Sequence, residues 1–371
     1  MLKSCLILLA LFISTILGAQ GNPTISGYVR DAATGEELIG AAVSILNTST
    51  GTIANEYGYY ALSLQPGFYT VVYSYLGHGS ISRAIQLNKD ITLNIELAET
   101  SLELEEVTVS AERPNANVSN LETGSTRLPI QTIRKIPAFL GEVDVIKAIQ
   151  LLPGVQVTSE GSSGFSVRGG GRDQNLILLD EATVYNASHL IGFFSVFNND
   201  AIKDVKLYKG DIPASAGGRL ASLLDVRMKE GNRKQFAASG GIGTIASRLT
   251  LEGPIVKNRA SVLVSARSSY SDWLLKRIED PLIRNSSASF YDVAASVYVK
   301  LSDKDDLNLF FYNSRDSVSL HELSNYKYSN LGASLRWYHQ YTPSFSSDLS
   351  LVHSDYNFNV ESIEVLSTAY N

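Results

Sequence analysis

The sequence predicts a mainly β chain in three dissimilar parts: an N-terminal antiparallel β-sandwich, an α+β unit, and the first strands of a transmembrane antiparallel β-barrel. Three observations carry this. Residues 24–98 divide into short strand-like runs at even spacing, residues 142–232 mix one amphipathic helical pattern with short apolar runs, and beyond Asn232 apolar and polar residues alternate with period two. The 371 residues suffice for several domains. With 31 basic against 37 acidic residues the net charge is −6, which argues against a general nucleic-acid binder, since phosphate neutralisation needs a basic field. Charged residues at 18% and hydrophobic ones at 44% exclude a disordered chain. The single cysteine excludes a disulfide framework and any cysteine metal cluster.

Residues 1–19 have the order of a secretory signal peptide: Lys3, the apolar run Leu6 to Leu17, then the small pair Gly18-Ala19 before Gln20. Cys5 precedes that run and follows Lys3-Ser4, so it is no lipid-anchor cysteine, and the chain after Ala19 has none. No later stretch holds ~18 consecutive apolar residues, so a membrane location requires a β-barrel.

In residues 20–99 the expected strands are Ile25 to Arg30, Ala42 to Leu46, Tyr59 to Leu64, Tyr69 to Tyr75, Ser80 to Gln86 and Ile91 to Leu97, with Asp/Asn/Gly/Pro turns between them. The order Gly27-Tyr28-Val29-Arg30-Asp31, Thr34-Gly35-Glu36, Leu38-Ile39-Gly40-Ala41, Gly58-Tyr59-Tyr60, Pro66-Gly67 and Tyr73-Ser74-Tyr75-Leu76-Gly77 resembles the carboxypeptidase-regulatory-like domain. Asn55 stands where that family usually has an acidic residue, which puts one loop hydrogen bond in question. No HxxE or HExxH pair occurs, and His78, His189, His321, His339 and His353 are dispersed without ligand spacing. The domain therefore reads as a binding or spacer module, each histidine as structural, with no metal site, cofactor or catalytic residue.

Residues 100–114 are acidic, then β-prone, and close on Pro114. Such a run can stay an exposed strand and add to the sheet edge of a partner, main-chain hydrogen bonds supplying the affinity. Glu106-Val107-Thr108-Val109-Ser110-Ala111 resembles the TonB box of outer-membrane active transporters, and an ordinary linker strand would look the same.

Residues 115–232 begin their legible part with a helix expected over Glu142 to Leu152, where Val143, Ile146, Ile149 and Leu152 recur at three-residue steps before Pro153-Gly154. Short strands follow, including Leu176 to Asp180 and Val205 to Lys209, so the unit is α+β. Its blocks resemble the plug domain of TonB-dependent receptors of the Bacteroidetes type: Asp144-Val145-Ile146-Lys147, Leu151-Leu152-Pro153-Gly154-Val155, Val167-Arg168-Gly169-Gly170, Asn175 to Asp180, Gly192 to Asn198, Lys209-Gly210 and Gly217-Gly218-Arg219-Leu220. The resemblance singles out Arg168, Gly169, Gly170, Asp180, Lys209, Gly210, Gly217, Gly218 and Arg219 as motif residues. Gly171-Arg172 and Glu181-Ala182 depart from the family pattern, in loops that there face the lumen or the outside. Competing motifs lack context: one Arg-Gly-Gly is no nucleic-acid tract, Gly161 to Gly164 does not meet GxSxG spacing, and a strand rather than a helix follows Gly171.

In residues 233–371, Tyr291, Val293, Ala295, Val297, Val299 and Leu301 share one face against Asp292, Ala294, Ser296, Tyr298 and Lys300; Leu331, Ala333, Leu335 and Trp337 repeat this against Gly332, Ser334, Arg336 and Tyr338. Apolar-out, polar-in strands of ~10 residues are the membrane-barrel pattern, and a soluble sandwich shares the period. Turns are expected at Gly253-Pro254-Ile255, Ser302 to Asp305 and Tyr341 to Ser344, and longer external loops at Lys276 to Ser287 and Ser317 to Ser329. At most seven strands fit between Phe236 and Val360, against ~22 in a plugged transporter, so the chain reads as a fragment or a truncated frame.

The resemblance implies the N-terminal part of a non-enzymatic outer-membrane receptor that imports a scarce ligand, such as a metal chelate, a glycan or a peptide. It implies TonB with ExbB and ExbD as partners, outer-membrane lipid around the barrel, a surface lipoprotein as a further candidate partner, no nucleic acid, and a periplasmic sandwich. An outer-membrane signalling or adhesion receptor on the same scaffold is the alternative, ranked lower because no extra N-terminal signalling domain precedes Thr24.

Overall fold

A computed structural model of the chain describes residues 22–100, 124–136, 142–158 and 163–362. The expected signal peptide and the stretch Glu106 to Ala111 lie outside the described residues. The chain divides into two compact units, the sandwich and the remainder.

The sandwich is built from β1 (Thr24–Asp31), β2 (Ala42–Ile45), β3 (Gly51–Ile53), β4 (Tyr59–Ser63), β5 (Gly67–Ser74), β6 (Ile81–Leu87), β7 (Ile91–Thr92) and β8 (Ile95–Leu97). One sheet is ordered β3-β2-β5-β6; in the other, β4 and the short β7 and β8 all pair with β1. The inward residues of both sheets, among them Ile25, Val29, Val43, Val71, Leu87 and Leu97, form its core. Within it Tyr60 and Tyr73 share a 2.8 Å hydroxyl hydrogen bond, so neither phenol is buried without a partner. The sequence expectation of a purely antiparallel arrangement is refined: β7 and β8 run parallel to β1, because the chain crosses from one sheet to the other after β6. The Asn55 departure costs the loop nothing, since its side-chain oxygen accepts the backbone N–H of Tyr57 and of Tyr59 at 2.9 and 3.0 Å.

The second unit starts with β9 (Ser125–Pro129), α1 (Ile130–Ile133), α2 (Val145–Gln150), β10 (Val155–Val157), β11 (Phe165–Val167), β12 (Asn175–Leu179), β13 (Ala182–Thr183), β14 (Ser188–His189), β15 (Phe194–Ser195), β16 (Ile202–Tyr208) and β17 (Ser222–Met228). Its sheet is ordered β13-β12-β17-β16-β9, with only β12 and β17 parallel. The helix is shorter than its expected span. Asp144 caps it, its Oδ1 accepting from Ile146 and Lys147 N–H at 2.8 and 3.1 Å, which leaves Glu142 and Val143 outside. Ile146 and Ile149 are fully buried in the core that this sheet and helix share.

Seven strands follow in an antiparallel meander: β18 (Ala237–Ile242), β19 (Ala246–Val256), β20 (Ala260–Ser269), β21 (Ser287–Lys300), β22 (Asp305–Leu320), β23 (Ser324–Thr342) and β24 (Phe345–Ser362). Burial alternates along β20 to β23, with polar residues among the buried ones. In β21, Asp292, Ala294, Ser296 and Tyr298 are buried while Tyr291 is exposed; in β22, Phe310, Tyr312, Ser314 and Asp316 are buried while Leu309 and Phe311 are exposed. In the middle of β21 and β22 the buried face thus carries polar side chains such as Asp292, Ser296, Ser314 and Asp316, and the outward one apolar side chains such as Leu309 and Phe311, as a lipid-facing wall requires.

Two expected features of this sheet are corrected. Gly253-Pro254-Ile255 is not a turn but lies inside β19; Pro254 sits at a register shift, a place in a sheet that tolerates proline, and the turn falls around Asn258 at φ 60°. Ser317 to Ser329 is not a long loop either. β22 and β23 pair up to Leu320 and Ser324 and leave a three-residue turn, because period-two alternation continues through Val318, Tyr326 and Tyr328. These strands, of 16 and 19 residues, exceed the ~9–11 residues that cross a bilayer. The other external connection, 270–286, carries α3 (Asp272–Leu275) and α4 (Pro281–Arg284).

If the exposed face meets hydrocarbon, Leu251→Arg, in the middle of β19, should destabilise the lipid-embedded protein by about 2–4 kcal/mol, read from denaturant titration in liposomes. An unchanged midpoint would place that face in water.

Candidate functional site

The residues singled out by sequence fall into three places. Arg168, Lys209 and Gly210 converge at one corner of the α+β unit. Arg168 and Gly169 carry left-handed backbone, φ 50° and 81°, after β11, and the Arg168 N–H donates to Gly154 O at 3.0 Å. Lys209 Nζ donates to Pro153 O at 3.2 Å, and its N–H donates to Gly124 O at 2.8 Å. A Cβ at Gly210 would come 2.9 Å from the end of the flexible Arg168 side chain, which would have to move aside. Gly170 sits against Ala221, where a Cβ would lie 2.4 Å from that side chain. This corner holds Gly124, the first described residue after 101–123.

Asp180 is the second place. It and Glu181, at φ 44° and 74°, make the tight turn between β12 and β13. Its Oδ1 accepts the Met228 N–H at 3.1 Å and its carbonyl accepts the Ser334 hydroxyl at 2.7 Å, so the turn is fixed to β17 and to the wall strand β23. Burial, only partly offset by Arg336 and Arg227, pushes the Asp180 carboxyl up. Next to it Glu181 is held below the usual range: burial opposes its charge, but the Arg227 guanidinium at 2.8 Å outweighs it. Gly217, Gly218 and Arg219 form the third place, an exposed turn. Arg219, with Arg172, Asp173, Tyr185, Asn186 and Tyr356, lines a cavity of about 460 Å³.

The largest electrostatic feature was not among the expected residues. His189 is fully buried and its ring stacks on Phe290 at 4.1 Å. Both nitrogens face carboxylates: Nδ1 lies 2.8 Å from Asp316 Oδ2 and Nε2 lies 3.2 Å from Asp292 Oδ2. Neutral imidazole has one N–H, so two carboxylate partners call for the doubly protonated cation. Arg267 completes the cluster, donating to Asp292 at 2.8 Å, to Glu142 at 2.9 Å and to Ser195 O at 2.7 Å. Asp316 Oδ1 also accepts the Leu190 N–H at 2.9 Å, and Tyr328 accepts that of Ile191 at 3.0 Å. Leu190 and Ile191 are at φ 50° and 58°, strain of order 1–3 kcal/mol each, which these contacts hold in place. Two cations thus face three carboxylates, fastening β14, β15 and Glu142 to β20, β21 and β22. Burial lowers the His189 pKa, yet the bonds to Asp292 and Asp316 and the Asp316 charge more than reverse it, so the net direction is upward. The signal for this cluster lay in polar residues at inward positions of apolar strands, Arg267, Asp292 and Asp316.

Residues 25–109 match the CarboxypepD_reg-like domain, and residues 130–222 match the TonB-dependent receptor plug domain. The chain thus carries a CarboxypepD_reg-like domain and a TonB-dependent receptor plug domain, the latter packed against the antiparallel meander. No curated protein matches the chain. Similar solved structures include the siderophore receptor PirA of Pseudomonas aeruginosa, 15% identical over 64% of this chain and 41% of that one, with TM-score 0.46. Another is the alcaligin outer-membrane receptor FauA of Bordetella pertussis, 15% identical over 65% and 40%, TM-score 0.48. A third is a double mutant of the Serratia marcescens hemophore receptor HasR with its hemophore HasA and heme, 12% identical over 66% and 40%, TM-score 0.49. The chain spans about 40% of the length of these structures.

With its folded pKa raised, charged His189 contributes stability that is complete below the free-imidazole value of ~6.5 and lost as pH rises through the folded value. Wild-type protein in detergent should melt progressively lower from neutral to alkaline pH. His189→Gln should cost about 3–5 kcal/mol at neutral pH and flatten that dependence. Parallel pH profiles for the two proteins would show that His189 carries no charge.

Proposed function

We propose that the chain serves a TonB-dependent importer of a scarce ligand, a metal chelate, a glycan or a peptide. Ligand binds on the outer side of the plug, and Glu106 to Ala111 then pairs edge-on, as an added strand, with the TonB C-terminal domain. Force drawn from the inner-membrane proton gradient through ExbB and ExbD displaces the plug, with the sandwich on the periplasmic side. The observation that carries this reading is the plug's attachment to the wall: a seam of ion pairs and hydrogen bonds centred on Arg267 and His189.

Such a seam suits a part that must stay in place and yet move. Buried ion pairs fix orientation, but their net stabilisation over the hydrated groups is small. Water entering during displacement re-solvates each charge, which offsets part of the cost of uncovering apolar wall residues such as Leu263 and Phe310. The corner of Arg168, Lys209, Gly210 and Pro153 is where a pull on the preceding residues first reaches the plug, through Gly124.

Pairing with TonB requires ladder N–H groups, which proline lacks. Val107→Pro or Val109→Pro should abolish binding of the TonB C-terminal domain in titration calorimetry, whereas Ser101→Pro should leave it intact. Unchanged binding by both of the first two variants would remove Glu106 to Ala111 from the mechanism.

A further inference from the structure

We propose that Asp31, His78 and Glu99 of the sandwich form a site for a first-row divalent transition ion, with Zn²⁺ the best-suited member of that class. The three residues are 47 and 21 positions apart, so no sequence spacing marks them. The fold brings them together. β1 ends at Asp31, and the turn around Gly77, at φ 80°, presents His78. The segment after β8 then pairs antiparallel with that turn, Gly79 N–H donating to Ala98 O at 2.9 Å and Thr100 N–H to Gly77 O at 3.0 Å, which sets Glu99 opposite His78. One ligand atom from each residue lies within 4.8 Å of the others.

The surroundings are those that a metal site uses. His78 Nδ1 lies 3.3 Å from Leu76 O and Nε2 lies 2.8 Å from Asp31 Oδ2; both partners only accept, so the metal-free ring is doubly protonated, and an ion would take the place of the Nε2 proton. Metal-bound histidines are oriented in this way, by a backbone carbonyl on the far nitrogen. The other Asp31 oxygen accepts the Ala33 N–H at 2.7 Å, which helps to hold the carboxylate in place. The His78 and Asp31 side chains are only 2% and 9% exposed, while Glu99 is exposed and provides the way in. At that separation a positive charge, either a proton or a metal ion, must stand between the imidazole nitrogen and the carboxylate. Coordination at ~2.0–2.2 Å would open the His78–Asp31 separation to roughly 3.3 Å, a few tenths beyond the present one. One imidazole and two carboxylates form a mixed nitrogen and oxygen set, which suits Zn²⁺ or Cu²⁺ rather than the oxygen-only preference of Ca²⁺ and Mg²⁺. Water would fill the fourth position. A bound ion would fasten residues 98–100 to the body of the sandwich and fix the point from which residue 101 departs. This site does not depend on the transport reading.

The test is titration calorimetry of the full chain in detergent with ZnCl₂ alone. One ion per chain is expected, with affinity lowered ~10-fold or more in His78→Gln and Asp31→Asn and unaltered in His353→Gln. Should the two buried variants lose their melting transition, Glu99→Gln, at an exposed position, decides: weakened binding supports the site. Absence of saturable zinc uptake by wild type would overturn the site, leaving an imidazolium–carboxylate pair. Undiminished uptake in every folded variant would overturn it as well.

Discussion

A sheet that buries its polar face and leaves its apolar face outward needs two different neighbours, hydrocarbon on one side and hydrogen-bonding protein on the other. The seven-stranded meander is such a sheet, and the constraint organises the second unit. Its inward Asp292, Asp316, Arg267 and Ser334 cannot be left dry without partners, since a buried unpaired charge costs several kcal/mol. The plug supplies those partners with His189, Glu142, Ser195 O and Asp180 O. Wall and plug therefore specify one another chemically. The apolar core around Ile146, Ile149, Val205 and Leu224 continues to Leu263, Ala294 and Phe310 of the wall, so apolar contact joins the two as well.

The same chemistry explains two of the plug's strained turns. Left-handed Leu190 and Ile191 persist because Asp316 and Tyr328 of the wall accept their N–H groups. Left-handed Asp180 and Glu181 are held by Ser334 from the wall and by Met228 and Arg227 from the plug. Moving the plug off the wall would release both turns, so part of the work of displacement is returned as relieved strain. A purely apolar joint would offer no such compensation.

Much of this was legible in the sequence, and the reasons differ by part. Period-two alternation in Tyr291 to Leu301 and Leu331 to Tyr338 gave wall strands and faces directly, because one side chain per pleat must choose a side. Turns were less legible. Pro254 reads as a break but is accommodated at a bulge, and the polar stretch Ser317 to Ser329 reads as a loop although strands continue past the bilayer. The motif glycines were visible, while their reasons were not: Gly170 is fixed by Ala221, a contact that only the folded chain creates. His189 was hidden for the same reason. Its partners are 103 and 127 residues away, and a lone histidine beside an apolar run carries no sign of what it will meet.

The central claim is the orientation of the wall: alternate residues of one strand face lipid and plug. Phe311 and Tyr312 are neighbours in β22, one exposed and the other buried. With Trp273 and Trp337 replaced by phenylalanine, single tryptophans at these two positions in brominated-lipid vesicles give the most direct measurement. Phe311→Trp should be strongly quenched by the brominated chains and Tyr312→Trp should not. Equal quenching at both positions, or the reverse order, would contradict the account.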